Sequence, residues 1–148
     1  MSEMIEILLV EDNPSDVKLA MRAFQKNNLA NRVQVLRDGA EALEYLFCTD
    51  RYAHRKGQNL PKVILLDLKL PLVDGHEVLR QIKSNPDTMM IPVVVMTSSN
   101  EERDLFESYQ LRVNSYVQKP IDFEQFIAVI GQLGLYWLIV NKVPYVSE

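Results

Sequence analysis

Val63-Ile64-Leu65-Leu66-Asp67-Leu68-Lys69-Leu70-Pro71, with Asp74-Gly75 just beyond, is the stretch on which the fold turns. Four aliphatic residues in an unbroken run read as a strand buried on both faces, the habit of parallel sheets. The run ends in a carboxylate, and Pro71 and Asp74-Gly75 then punctuate a loop. Three other apolar runs end in the same manner. Residues 5–10 lead into Glu11-Asp12, residues 92–96 into Thr97, and residues 115–118 into Lys119. If the four runs lie parallel in one sheet, their carboxyl ends share one edge. Three carboxylates, a hydroxyl and an ammonium would then gather in one pocket.

Helical patterns separate these runs. Asn13-Pro14 pairs a good cap with a residue suited to the first helical position, and Asp16 falls in the first turn, where the helix dipole favours an acid. Val17, Ala20, Met21 and Phe24 then recur at helical spacing, and the helix is expected to stop near Asn27-Asn28. Residues 32–36 read as a further short strand. Asp38, with Glu41 three residues on, opens a helix through Ala42, Leu43, Leu46 and Phe47. Residues 49–61 are polar and basic, with Gly57 and Pro61, and read as a long exposed loop. A helix bearing Val78, Leu79 and Ile82 follows Gly75 and ends before Asn85-Pro86. Ser99 and Glu102 form a capping box for a helix reaching about Tyr109. Asp122 caps a last helix with an apolar stripe at Phe123, Phe126, Ile127 and Ile130. Strand and helix alternate five times, which predicts an α/β fold: a doubly wound parallel sheet with helices on both faces. Ligands of such sheets bind outside the carboxyl ends of the strands.

The bulk composition narrows the classes. The 148 residues fit a single domain with a full core, and 47% hydrophobic against 24% charged residues describes a chain that folds. A net charge of −4 argues against a nucleic-acid partner. Cys48 is alone and cannot form an internal disulfide, which suits a reducing compartment. The first residues lack a basic segment of the kind that begins a signal peptide, and the longest apolar run, residues 135–140, is too short to cross a bilayer. The expectation is a cytoplasmic protein with no membrane partner.

The pocket has a definite chemistry. Clustered carboxylates raise one another's pKa unless a cation lies among them, and Mg²⁺ is the natural hard cation for oxygen ligands. A carboxylate can also act as a nucleophile and form an aspartyl phosphate. Lys119 would supply the electrostatic clamp that phosphoryl transfer needs, and Thr97 a hydroxyl donor. His54 and His76 lack the spacing of a metal site.

These motifs, in this order, resemble the receiver domain of bacterial two-component response regulators. Residues 7–14 are similar to its opening strand and acidic pair, Ile64 to Pro71 with Asp74-Gly75 to its phosphoacceptor strand and loop, and Val95-Met96-Thr97-Ser98 and Tyr116-Val117-Gln118-Lys119-Pro120 to its remaining motifs. The resemblance covers roughly residues 5–133. It implies strand order 2-1-3-4-5 and makes Asp67 the acceptor of a phosphoryl group from a histidine kinase. Glu11, Asp12, Asp67 and the backbone carbonyl of Lys69 would bind Mg²⁺. Thr97 and Tyr116 would form a conformational switch, Lys119 would contact the phosphoryl oxygens, and the Lys119-Pro120 bond would be cis. The protein would signal by conformational change and protein contact, with at most autophosphatase activity, or serve as a phosphorelay intermediate.

Beyond the resemblance, residues 134–148 are expected to extend the last helix. Val129, Leu133, Tyr136 and Val140 make a second apolar face, with Trp137 beside it, and a helix apolar on two faces must bury the extra one. This predicts a homodimer through Leu133, Tyr136, Trp137 and Val140. Nothing in the sequence reads as an output domain, so the whole chain, 1–148, is expected to be one receiver. Such a tail, with the long 48–61 loop, resembles the small receivers that partner phytochrome histidine kinases. Two other classes fit less well. A phosphohydrolase with an aspartate nucleophile would want an acid two residues after Asp67, where Lys69 stands. A flavodoxin-like FMN carrier would want hydroxyl and glycine donors where Glu11-Asp12-Asn13-Pro14 stands.

Overall fold

The structure, a computed structural model, describes residues 5–97, 110–113, 115–119 and 122–133. Five strands, β1 (Ile7–Val10), β2 (Val33–Leu36), β3 (Val63–Asp67), β4 (Val93–Thr97) and β5 (Ser115–Gln118), form one parallel sheet in the order β2-β1-β3-β4-β5. The described α-helices are α1 (Pro14–Lys26), α2 (Gly39–Phe47), α3 (Gly75–Ser84) and α4 (Phe123–Leu133). The helix expected over residues 99–109 lies outside the described residues.

The unbroken apolar runs split cleanly between the two faces, because successive strand side chains point to opposite sides. Leu8, Val10, Ile64, Leu66, Val93 and Val95 join Ala42 and Leu46 of α2 and Val78, Leu79 and Ile82 of α3 in one core. Ile7, Leu9, Val63, Leu65, Val94 and Met96 join Ala20, Ala23 and Phe24 of α1 and Phe126 and Ile130 of α4 in the other. Phe24 and Phe126 are fully buried, a contribution of roughly 1.5–3 kcal/mol each. Polar contacts fix α4 against α1. The Asn27 side-chain amide donates to the Ala23 and Ile127 carbonyls (3.0 and 3.1 Å), and the Arg22 guanidinium lies 5.1 Å from the Phe123 ring centre.

The helix starts follow the sequence. The Asn13 side chain accepts from the Ser15 and Asp16 N–H groups, Asp38 from Glu41, and Asp74 from His76. Strand limits shift slightly. β1 begins at Ile7 rather than residue 5, although the Glu6 N–H still bonds the Arg32 carbonyl at 3.0 Å. β3 and β4 each run one residue further than expected and include Asp67 and Thr97.

The 49–61 segment corrects the sequence reading of an exposed loop. Asp50–Arg55 forms a 3-10 helix, and Arg55, from the basic run assigned to the surface, is buried. Its guanidinium stacks 3.6 Å from the Tyr45 ring centre and donates to the Tyr45 and Asn59 carbonyls. A planar, five-donor cation can satisfy loop carbonyls and cover an aromatic face at once, which makes its burial tolerable.

Candidate functional site

The strand order reverses about β1, whose neighbours are β2 and β3, and this opens a crevice at their carboxyl ends. Glu11 and Asp12 leave β1 there. The Glu11 N–H is held by the Leu36 carbonyl at 2.9 Å, and its Oε2 accepts from the Asn13 N–H at 3.2 Å. Asp67 ends β3, with Oδ1 accepting from the Lys69 N–H at 3.0 Å. The loop beyond it is tightly folded. Val73 N–H bonds the Pro71 carbonyl at 2.8 Å across Leu72, whose φ of 69° marks a left-handed γ-turn. Gly75 opens α3 because a Cβ there would lie 2.4 Å from the Asp67 carbonyl oxygen.

Lys119, at the end of β5, closes the pocket from the far side of the sheet. Its ammonium donates to Glu11 Oε1, to Asp16 Oδ2 at 2.9 Å and to Asp67 Oδ2 at 3.3 Å. Segments more than a hundred residues apart in the chain meet here, as the parallel-sheet reading requires. Glu11, Asp67 and Lys119 are all buried, whereas Asp12 is exposed.

Burial, and then the hydrogen bond and charge of Asp67, push the Glu11 carboxyl up to about 7, against the opposing pull of Lys119. Burial alone would lower the Lys119 ammonium. Its hydrogen bonds to Glu11 and Asp16 and the charges of Asp67 and Glu11 outweigh that, and they hold it above its usual range. Lys119 is therefore charged at any physiological pH, while Glu11 resists ionisation.

The donor set fits a hard divalent ion. One carboxylate oxygen from each of Glu11, Asp12 and Asp67 lies within 4.8 Å of the other two. Two oxygens on one Mg²⁺ stand about 3–4 Å apart, so only a small closure is needed. Exposed Asp12 leaves room for the waters that Mg²⁺ retains.

Of the residues predicted from sequence, the structure brings Glu11, Asp12, Asp67 and Lys119 together. Thr97 ends β4 opposite Gln118, and Tyr116 pairs with Val95. Their side chains, that of Leu133, Pro120 and all of Tyr136, Trp137 and Val140 lie outside the described residues. Asp16 is the site residue that sequence reasoning missed, because a first-turn acid is already explained by the helix dipole. Its position was the available clue. Helical side chains tilt toward the N-terminus, and the third residue after the Asn13 cap therefore points back at the sheet edge.

Comparison with known proteins agrees with the site. The family described as "Response regulator receiver domain" matches residues 7–131, and the chain belongs to that family. Receivers carry a phosphoryl group on an aspartate and are phosphorylated by histidine kinases. Among its relatives is the probable methanogenesis regulatory protein FilR2 of Methanothrix harundinacea, 46% identical over 93% of this chain and 86% of that one. The bacteriophytochrome response regulator AtBRR is 52% identical, over 95% of this chain and 99% of that one, with a TM-score of 0.75. The Mn²⁺-bound form of response regulator Rcp1 is 37% identical, over 95% and 99%, with a TM-score of 0.81. The expected order 2-1-3-4-5 and the likeness to phytochrome-linked receivers are both borne out.

Proposed function

We propose that Asp67 is the phosphoacceptor of this receiver, and that a phytochrome-type histidine kinase is the donor. The observation that carries this reading is the convergence of the Lys119 ammonium on Glu11, Asp16 and Asp67 at one sheet edge. In the transfer an Asp67 carboxylate oxygen attacks phosphorus. The P–N bond to the kinase imidazole breaks, and its electron pair stays on that nitrogen. Lys119 neutralises charge on the phosphoryl oxygens, and the Lys69 N–H holds the second Asp67 oxygen in place. Glu11, Asp12, Asp67 and the Lys69 carbonyl would hold Mg²⁺, which when bound offsets the charge of the arriving group.

The acyl phosphate brings about −1.5 to −2 charge to the crevice. Thr97 and Tyr116 respond as the switch, and the signal passes by protein contact, not by an enzymatic product. Leu133, Tyr136, Trp137 and Val140 form the dimer contact, with residues 134–148 as an extension of the one receiver. The protein works in the cytoplasm without nucleic-acid or membrane partners. No helix among the described residues is long and apolar enough to cross a membrane. The likeness to the bacteriophytochrome response regulator AtBRR and to the phosphorylated cyanobacterial phytochrome response regulator RcpA supports the choice of kinase.

Incubation with acetyl phosphate and Mg²⁺ adds one phosphoryl group to the wild type and none to Asp67→Asn. Persistent labelling of the variant contradicts the assignment. Transfer profiling against purified histidine kinases tests the partner, and equal transfer from all of them removes the phytochrome preference.

A further inference from the structure

Lys119 has three N–H donors, and three carboxylates take them. A phosphoryl oxygen on Asp67 would take over the donor that now reaches Asp67 Oδ2, provided the ammonium can move toward it. The bonds are unequal. Glu11 and Asp16 hold the ammonium closely, and Asp67, at 3.3 Å, holds it most loosely. The lysine is thus held nearer the end of β1 and the first turn of α1 than the acceptor. Glu11 belongs to the three-carboxylate cluster able to take a cation, and cation binding would draw it off the lysine. Asp16 lies outside that cluster, and its side chain is 34% exposed. Asp16 would then be the partner left to hold the ammonium back from Asp67.

We propose that Asp16 is a positioning residue that restrains Lys119 from the phosphoryl group and so limits how far this receiver is phosphorylated at a given donor level. The proposal rests on Asp67 as the acceptor. Phosphorylation replaces a carboxylate by a dianionic group beside Glu11, Asp12 and Asp16, so the Asp16 charge also opposes the product directly. Both effects act in one direction, and removing the Asp16 carboxylate favours the phosphorylated form. The contact is partly open to water, so salt weakens it.

The test compares wild type, Asp16→Asn and Asp16→Ala, each with acetyl phosphate below saturation and Mg²⁺. The ratio of phosphorylated to unphosphorylated protein is read by intact mass over a range of ionic strengths. Both variants are expected to raise that ratio by about threefold or more at low salt, the scale of a partly exposed ion pair. The excess should shrink as salt increases. Asn preserves the side-chain shape and Ala favours the helix, so a folding defect in one variant leaves the other as the reading. A ratio equal to or below wild type, or an excess indifferent to salt, overturns the proposal, whatever happens to the melting temperature. Asp67→Asn is run beside them, and uptake that persists in it overturns the Asp67 assignment instead, which separates the two failures.

Discussion

Glu11 makes the metal-free protein lose stability as pH rises, and Mg²⁺ should cancel that loss. The carboxyl is pushed from 4.5 to about 7 in the fold, chiefly by burial and by Asp67. A raised folded-state pKa means that the protonated form is the one the fold favours. The stability is therefore fully present below the unfolded value and disappears as pH climbs through the folded one. At about 1.4 kcal/mol per unit, the shift amounts to about 3 kcal/mol. Glu11 is 2% exposed, so solvent screens little of this. For a chain of 148 residues that is a fall in melting temperature of roughly 6–12 °C between about pH 5 and pH 8. The assay is thermal unfolding in EDTA at constant ionic strength, beside Glu11→Gln. The amide keeps one oxygen for Lys119, gives up the acceptor that met the Asn13 N–H and cannot ionise, so its curve should start lower and be flatter by most of that amount. With Mg²⁺ present the wild-type loss should vanish, because the cation takes the place of the proton. Parallel pH profiles for wild type and Glu11→Gln in EDTA would refute the electrostatic account of the pocket.

Gly75→Ala puts a methyl group 2.4 Å from the Asp67 backbone oxygen. It should cost at least about 1–3 kcal/mol and slow phosphorylation by acetyl phosphate, both measurable on one preparation. Arg55→Ala strips donors from the Tyr45 and Asn59 carbonyls and uncovers the Tyr45 ring, for a loss of about 1–3 kcal/mol in urea unfolding. Arg55→Lys should not restore it, because an ammonium lacks the planar fork. Asn13→Ala removes the α1 cap and should cost about 1 kcal/mol by the same assay.

Most of the architecture was legible because the three central strands, β1, β3 and β4, are apolar on both faces, and such runs fit a parallel sheet between two helical layers. Val63 and Leu65 face one layer and Ile64 and Leu66 the other, yet no residue breaks the run. The pocket was legible for a related reason. A polar residue at the end of a buried strand has few places to go, and parallel strands send all such residues to one edge. Arg55 was not legible, since its burial depends on the Tyr45 ring and the Asn59 carbonyl, partners that a basic run does not announce. Asp16 was read as half of what it is. Helix-dipole logic accounts for an acid at that turn, and only the arrival of Lys119 from the last strand reveals the second role.

The most direct measurement is the location of the phosphoryl group itself. Borohydride reduction of the phosphorylated protein converts an aspartyl phosphate to homoserine, which peptide mass spectrometry can place. Homoserine is expected at position 67 alone, in a yield that falls sharply for Lys119→Ala. Homoserine at position 12 or 16, or an undiminished yield without the lysine, would contradict this expectation.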